Sequence, residues 1–531
     1  MLPLQSQECP ATRARPAPDE AGTACPRSAT IDAFSYPVWP EAPHGPFGYL
    51  FPDAAEARGG VAAAAALRDL ASAMAGRGTG GGDDSGMPAI YTYLGQVIAR
   101  ELAAGTDPEG GLSGLDLDRV DPLPRRRAMA DLRNDRSGRL NLESLYGAEA
   151  GGWRCDPAAP ARLWSGVTGP SGSVGGKAWP YPARRNRLPK PALAEQDKAY
   201  IGAPQTDAGL ATAEVHLVLA RFHNAVVARA PGIGGPPAEA GDAAFDFARD
   251  EVRKHFQWLV VNDYLRRICL PEVLDAVMAE EAPVYCDLLQ RCPGLPEGRL
   301  PLPFEFQAAA IRLGETMARP SYDWSARHGF GCGAASVAGP PGWRRAPGRM
   351  DFSRLTDESG TRPDRHARGI NTRITPDLLC LHDEPPGLHG RMRQLAERTL
   401  RRGLRLNLAS GQDCLRGMAR LGVRIAPLSA AELAEGPGGG VLARAGMIEA
   451  TPLWYYILRE AEARTGGRRL GPLGSRIVAE TLVGLCVCDP DSYWHHLGSD
   501  HGRWHPRDGV RPAGEPVTTV AALIRAAGMR A

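Results

Sequence analysis

The chain has 531 residues, 43% of them apolar, enough for one large core or several smaller ones. Its 62 basic and 60 acidic side chains nearly cancel, which leaves no global field to draw nucleic acid or an anionic membrane. No apolar run reaches membrane-spanning length, and the N-terminal MLPLQSQECPATRARPAPDE lacks the apolar core of a signal peptide. The eleven cysteines are scattered without a C-x-x-C pair, which predicts reduced thiols and a cytoplasmic protein. Lysine stands only at Lys177, Lys190, Lys198 and Lys254, so the basic charge is almost all arginine.

Residues 1–45 are rich in Pro, Ala and Arg without a sustained period and predict a loose arm, leaving 46–531 as the domain. A short alanine helix is expected near Val61–Ala75, followed by the glycine loop RGTGGGDDSG. The stretch TYLGQVIARELAAGTD, Thr92–Asp107, then places Leu94, Val97, Ile98 and Leu102 on one helical face. Gln96 and Arg100 sit four apart, so both side chains leave the same side of that helix. Residues 148–200 are punctuated by Gly and Pro and read as an irregular excursion. Its GPSGSVGGKA is no phosphate loop, because Ser171 replaces the first glycine and Ala178 the metal-binding hydroxyl.

Helical spacing returns at Ala211–Ala230 through Val215, Val218, Leu219, Phe222 and Val226, and again in FDFARDEVRKHFQWLVVNDYLRRI. A third helix is expected from Phe306 onward in FQAAAIRLGETMARPSYDW, stopped by Pro320. LHGRMRQLAERTLRRGLRLNL follows, then TPLWYYILREAEARTGG, with Pro452 at its start and Gly466 at its end. GSRIVAETLVGLCVC and a terminal TTVAALIRAAG complete the series. Strand-like alternation is rare and no repeat is evident. The fold class is therefore mainly α, a single large helical domain with long irregular loops. His216, His223 and His255 lie on apolar helices at spacings that suit packing, and no Ser–His–Asp order or His-x-x-x-His pattern offers a separate catalytic site.

Several phrases together resemble the animal-type haem peroxidases, the peroxidase–cyclooxygenase superfamily, closest to its soluble bacterial branch. They are YTYLGQ, NLESLYG, IGAPQTD, HLVLARFHNAVV, HFQWLVVNDYL, AAAIRLGETMARPSYD, RTLRRGLRLNLASGQ, TPLWYYILREAE and GSRIVAETLVGL, in family order from about residue 90 onward. The resemblance implies that fold and a haem. It also implies a distal histidine at Arg100, a distal arginine at Gln205 and a proximal iron-ligating histidine at Glu315. The asparagine that orients the proximal histidine falls on Thr399, and an acid at the haem edge falls on Ala208. Gln96 keeps the family's distal glutamine, while Arg312 and Arg402 match arginines near the haem propionates. Each has a plainer alternative: Gln96 as a satisfied pocket amide, the arginines as surface or helix-pair residues. Glu101 replaces an aspartate that helps bind calcium in relatives.

Peroxide cleavage needs a base for the peroxide proton and a cation for the developing charge. Arg100 cannot serve as that base, and Gln205 carries no charge. Glu315 is a weak candidate iron ligand, since a carboxylate is harder than the imidazole family peroxidases use. It stands three residues after Arg312 and four before Arg319, which also suits intrahelical ion pairs.

Five substitutions facing one pocket predict a degenerate homologue with haem absent or weakly held. Such a chain would lack peroxidase activity and act as a binding, scaffolding or partner protein. The alternative is a haem-dependent peroxidase or dioxygenase-like oxidoreductase with an altered active site. A third reading is a non-haem ligand in the vacated pocket, where Arg100 suits an anionic guest. The segments holding Gln96 and Glu315 should face one interior space, with Arg100 and Glu315 compensating each other there.

Overall fold

The computed structural model describes residues 46–75, 84–104, 118–147, 210–324, 350–375 and 394–530, with 155–156, 159–163, 166–167, 185–187 and 378 between them. The expected arm at 1–45 and the Gln205 segment lie outside the described residues. Within them the 3.6-residue periods become helices at Val61–Met74, Ile90–Leu102, Leu210–Arg229, Asp242–Leu259, Leu395–Arg405, Leu453–Thr465, Pro472–Val487 and Val520–Ala526. The architecture is mainly α. Strands occur as short pairs: Phe47–Gly48 runs parallel to Leu302–Pro303, and Asp84–Pro88 antiparallel to His366–Arg368.

The helix Pro472–Val487 is buried at every position from Leu473 to Val487, the signature of a helix at the centre of a core. Against it pack Leu453–Thr465, which starts after Pro452 and ends at a left-handed Gly466 with φ 62°, and the short helix Pro283–Gln290. Leu210–Arg229 packs on Asp242–Leu259, and Ile90–Leu102 packs on both Leu210–Arg229 and the turn Gly314–Met317. Gly95 makes one of these approaches possible, because a Cβ there would stand 2.4 Å from the Tyr264 hydroxyl. Tyr264 is delivered by a single π-helical turn, Val260–Tyr264, inside what the periodicity reads as one unbroken helix.

The segment after Phe306 departs from the expected single helix. It runs as Phe304–Ala308, a 3-10 turn Ala310–Leu313, and Gly314–Met317, broken at Ala309 with φ −129° and ψ −67°. Tertiary donors take up carbonyls near the break: Arg312 Nε donates to the Gln307 carbonyl at 3.1 Å, and Trp454 Nε1 to the Arg312 carbonyl at 3.4 Å.

Four buried glutamates hold the elements together by accepting main-chain N–H groups. Glu305 accepts from Leu50 and Phe51 at 3.1 and 3.2 Å, and Glu480 from Val284 and Tyr285 at 3.0 and 3.2 Å. Glu460 accepts from Leu473 and Gly474, with the Gly474 bond at 3.1 Å. Glu101 accepts from Glu143 and Ser144 at 2.7 and 2.8 Å. Three of these pairs close the N-terminus of a helix, where main-chain donors have no partner within the helix.

Cys269, Cys292, Cys414, Cys486 and Cys488 are free and buried, whereas Cys286 is disulfide-bonded, a departure from the expected set of reduced thiols. Among the described residues no helix is long and apolar enough to cross a membrane.

Candidate functional site

The helix Ile90–Leu102 presents Thr92, Gln96 and Arg100 four residues apart, so the three side chains share one stripe. Thr92 Oγ1 and Gln96 Oε1 are both buried and have no hydrogen-bond partner among the described residues. Arg100 donates from one terminal nitrogen to Thr212 Oγ1 at 2.9 Å. Among the described residues no carboxylate is within ion-pair reach of it. Burial, and then the nearby Arg312 guanidinium, lower its pKa to about 10.

Glu315 is buried in the facing turn. Thr399 Oγ1 donates to its carboxylate at 3.0 Å, and Arg312 lies 3.6 Å away in an i,i+3 ion pair. Burial raises the pKa of this carboxyl, opposed by Arg312 first and then Arg402. Arg312 keeps 28% of its side-chain surface open, yet burial is the largest influence on it and lowers its pKa.

Arg100 and Glu315 thus occupy one neighbourhood, linked through Arg312. The two side chains, expected to compensate each other directly or through water, make no direct pair. Glu315 is answered by Arg312 and Thr399, both nearer in the fold, and Arg100 by a neutral hydroxyl. Arg319, the other expected partner of Glu315, pairs instead with Asp84, and its Nε donates to the His366 carbonyl at 2.6 Å. Arg402 is buried near Glu315.

The three helical histidines are structural in their contacts. His216 Nδ1 is 3.1 Å from the Thr212 carbonyl and Nε2 2.9 Å from Ser144 Oγ. Burial and then Arg100 lower its pKa to about 4, against the lift of the Thr212 hydrogen bond, so it is neutral at physiological pH. His223 sits between the Tyr146 hydroxyl and the Ala161 carbonyl, and His255 Nδ1 lies 2.8 Å from the Glu251 carbonyl. Glu101 spends both oxygens on main-chain N–H groups, and no cluster of three metal-binding side chains occurs among the described residues.

No family model matches the chain, and no curated protein matches it in sequence. Its fold, however, superimposes on peroxidase A from Dictyostelium discoideum with a TM-score of 0.57 at 14% identity, over 91% of this chain and 93% of that one. The chain has the fold of this peroxidase. A fatty acid alpha-dioxygenase from Arabidopsis thaliana aligns at a TM-score of 0.49 and 12% identity, over 88% of this chain and 73% of that one. The corresponding enzyme from Oryza sativa aligns at 0.47 and 12%, over 87% and 76%.

The peroxidase fold implies a haem between the Ile90–Leu102 helix and the Gly314–Met317 turn, and the donor set there does not fit one. At the iron-ligand position stands a carboxylate already engaged by a hydroxyl and a guanidinium, and none of the three helical histidines belongs to that turn. On the opposite side the half-buried Arg100 stands where the resemblance implies a proton-accepting ring. Glu315 and Thr399, which the resemblance in sequence matches to ligand and orienter, touch one another. Sequence reasoning missed Thr212, a tertiary partner with no local signal, and Thr92, whose four-residue offset from Gln96 was available. Gln205 and Ala208 lie outside the described residues.

Proposed function

We propose that this chain is a peroxidase-fold protein that does not carry out peroxide chemistry and uses the space between the Ile90–Leu102 helix and the Gly314–Met317 turn to bind a guest. The observation that carries this reading is Glu315, whose carboxylate at the iron-ligand position is held by Thr399 at 3.0 Å and paired with Arg312. Arg100 supports it. Even with a pKa lowered to about 10, only about one molecule in a thousand has a neutral Arg100 at pH 7, so no proton acceptor stands at the distal position.

Titration of purified protein with haemin tests the proposal. The expected result is the broad Soret absorption of unbound haemin and peroxide-dependent phenol oxidation no faster than haemin alone. A sharp Soret band saturating at one equivalent, with turnover above that background, overturns it.

A further inference from the structure

Away from the Ile90–Leu102 helix, the end of the central helix brings two sulfur atoms together. The helix Pro472–Val487 passes at its last residue into Cys488, and the short helix Pro283–Gln290 that packs on it carries Cys286. Cys286 Sγ and Cys488 Sγ stand 3.8 Å apart, with Cys286 1% and Cys488 8% exposed. Cys286 is already in a disulfide while Cys488 is a free thiol, so the two sulfurs are neighbours without being bonded to each other. A free thiol against one sulfur of a disulfide is the encounter from which exchange begins. Burial keeps the thiols of the solvent away from Cys286 Sγ and leaves Cys488 as the attacking group at hand.

We propose that Cys286 is a two-position thiol–disulfide switch, its bond passing to Cys488 when the Cys488 thiolate attacks Cys286 Sγ. In that step the Cys488 proton goes to a solvent base and the Cys286–Cys488 bond forms. The older bond of Cys286 breaks, and its former partner leaves as a thiolate that takes up a proton. One disulfide replaces another, so no oxidant or reductant is consumed. The two helices are already joined where Glu480 accepts the N–H groups of Val284 and Tyr285. The new bond ties them covalently about two turns further along Pro472–Val487 and frees the cysteine formerly bound to Cys286. Burial, and then the charge of Asp489, push the Cys488 thiol up to about 12. Below that value each pH unit gives about ten times more thiolate, so the switch is slow at neutral pH and is driven by base. The inference is independent of the guest-binding reading above.

The test is disulfide mapping on the full chain, first equilibrated with oxidised glutathione and freed of it, then held at pH 7.5 and pH 8.5 without added thiol or oxidant. Samples are quenched in acid, their free thiols alkylated with N-ethylmaleimide, and the peptides read by mass spectrometry. A Cys286–Cys488 peptide should appear as Cys286 loses its first partner, with the total of free thiols constant. It should form about tenfold faster at the higher pH, at a rate independent of protein concentration because both sulfurs belong to one fold. Cys488→Ser should leave Cys286 with its first partner throughout, whereas Cys486→Ser should behave as the parent. A Cys286 that stays free or keeps one partner at both pH values overturns the proposal. So does a Cys286–Cys488 bond whose rate scales with protein concentration, or one that forms only after the chain is unfolded in urea. These outcomes are read on the parent alone, so a variant that failed to fold would not change the decision. Haemin plays no part here, and the guest-binding reading keeps its own test.

Discussion

Glu315 shows what a buried carboxylate demands of its surroundings. A neutral imidazole at this position would need one acceptor for its ring N–H, whereas a buried carboxylate needs donors and countercharge. Thr399 supplies a hydroxyl donor at 3.0 Å and Arg312 the charge at 3.6 Å. We expect Glu315→Ala to lower stability by about 2 kcal/mol in urea unfolding, because it strips Arg312 and Thr399 of a shared partner. Glu315→Gln keeps an acceptor for Thr399 and should cost less. Equal losses for the two variants would show that the Thr399 bond contributes nothing. At this scale the sequence was partly legible. The i,i+3 spacing of Arg312 and Glu315 announced their pairing, and the matched positions of Glu315 and Thr399 anticipated a contact. The Arg100–Thr212 bond joins residues 112 apart and had no local signature. The expected pairing of Arg100 with Glu315 came from charge alone, and the closer partners of Glu315 prevailed.

Among the helices, the buried carboxylates that close N-termini have a pH consequence. Burial pushes Glu460 and Glu480 up to about 7, against the opposing pull of the main-chain N–H groups they accept. Both values lie above the ordinary carboxyl pKa of 4.5, so between about pH 4.5 and 7 the folded chain holds more protons than the unfolded one. Stability from these two groups is therefore complete below that window and falls as pH rises through it. Glu460→Gln, which cannot ionise, should lose less melting temperature than the parent between pH 5 and pH 7.5. The same drop in both would remove Glu460 from the account. Glu101 belongs to this group of structural acids. Glu101→Ala leaves the buried N–H groups of Glu143 and Ser144 without an acceptor and should cost about 2–3 kcal/mol. Since both Glu101 oxygens are occupied, neither calcium nor a chelator should shift the melting point, and a calcium-dependent rise would restore the metal reading. Periodicity located most helices, and Pro452 and Gly466 marked a start and an end. It could not see the break at Ala309, because the apolar spacing runs straight through it while Trp454 holds the bend from outside the local sequence and the Arg312 side chain from within it.

For the molecule as a whole, the backbone resembles the Dictyostelium peroxidase over nine-tenths of its length while only 14% of residues coincide. The buried glutamates suggest how so much sequence can drift beneath a constant shape. A carboxylate that grips main-chain N–H groups imposes almost no chemical requirement on the residues it grips. Leu50, Phe51, Val284, Tyr285, Leu473 and Gly474 are each held through an atom that every amino acid except proline possesses. Each anchor therefore asks of its partners only a main-chain N–H, unlike a pair of complementary side chains, which must change together. A scaffold fastened this way can hold its form while side chains away from the anchors change.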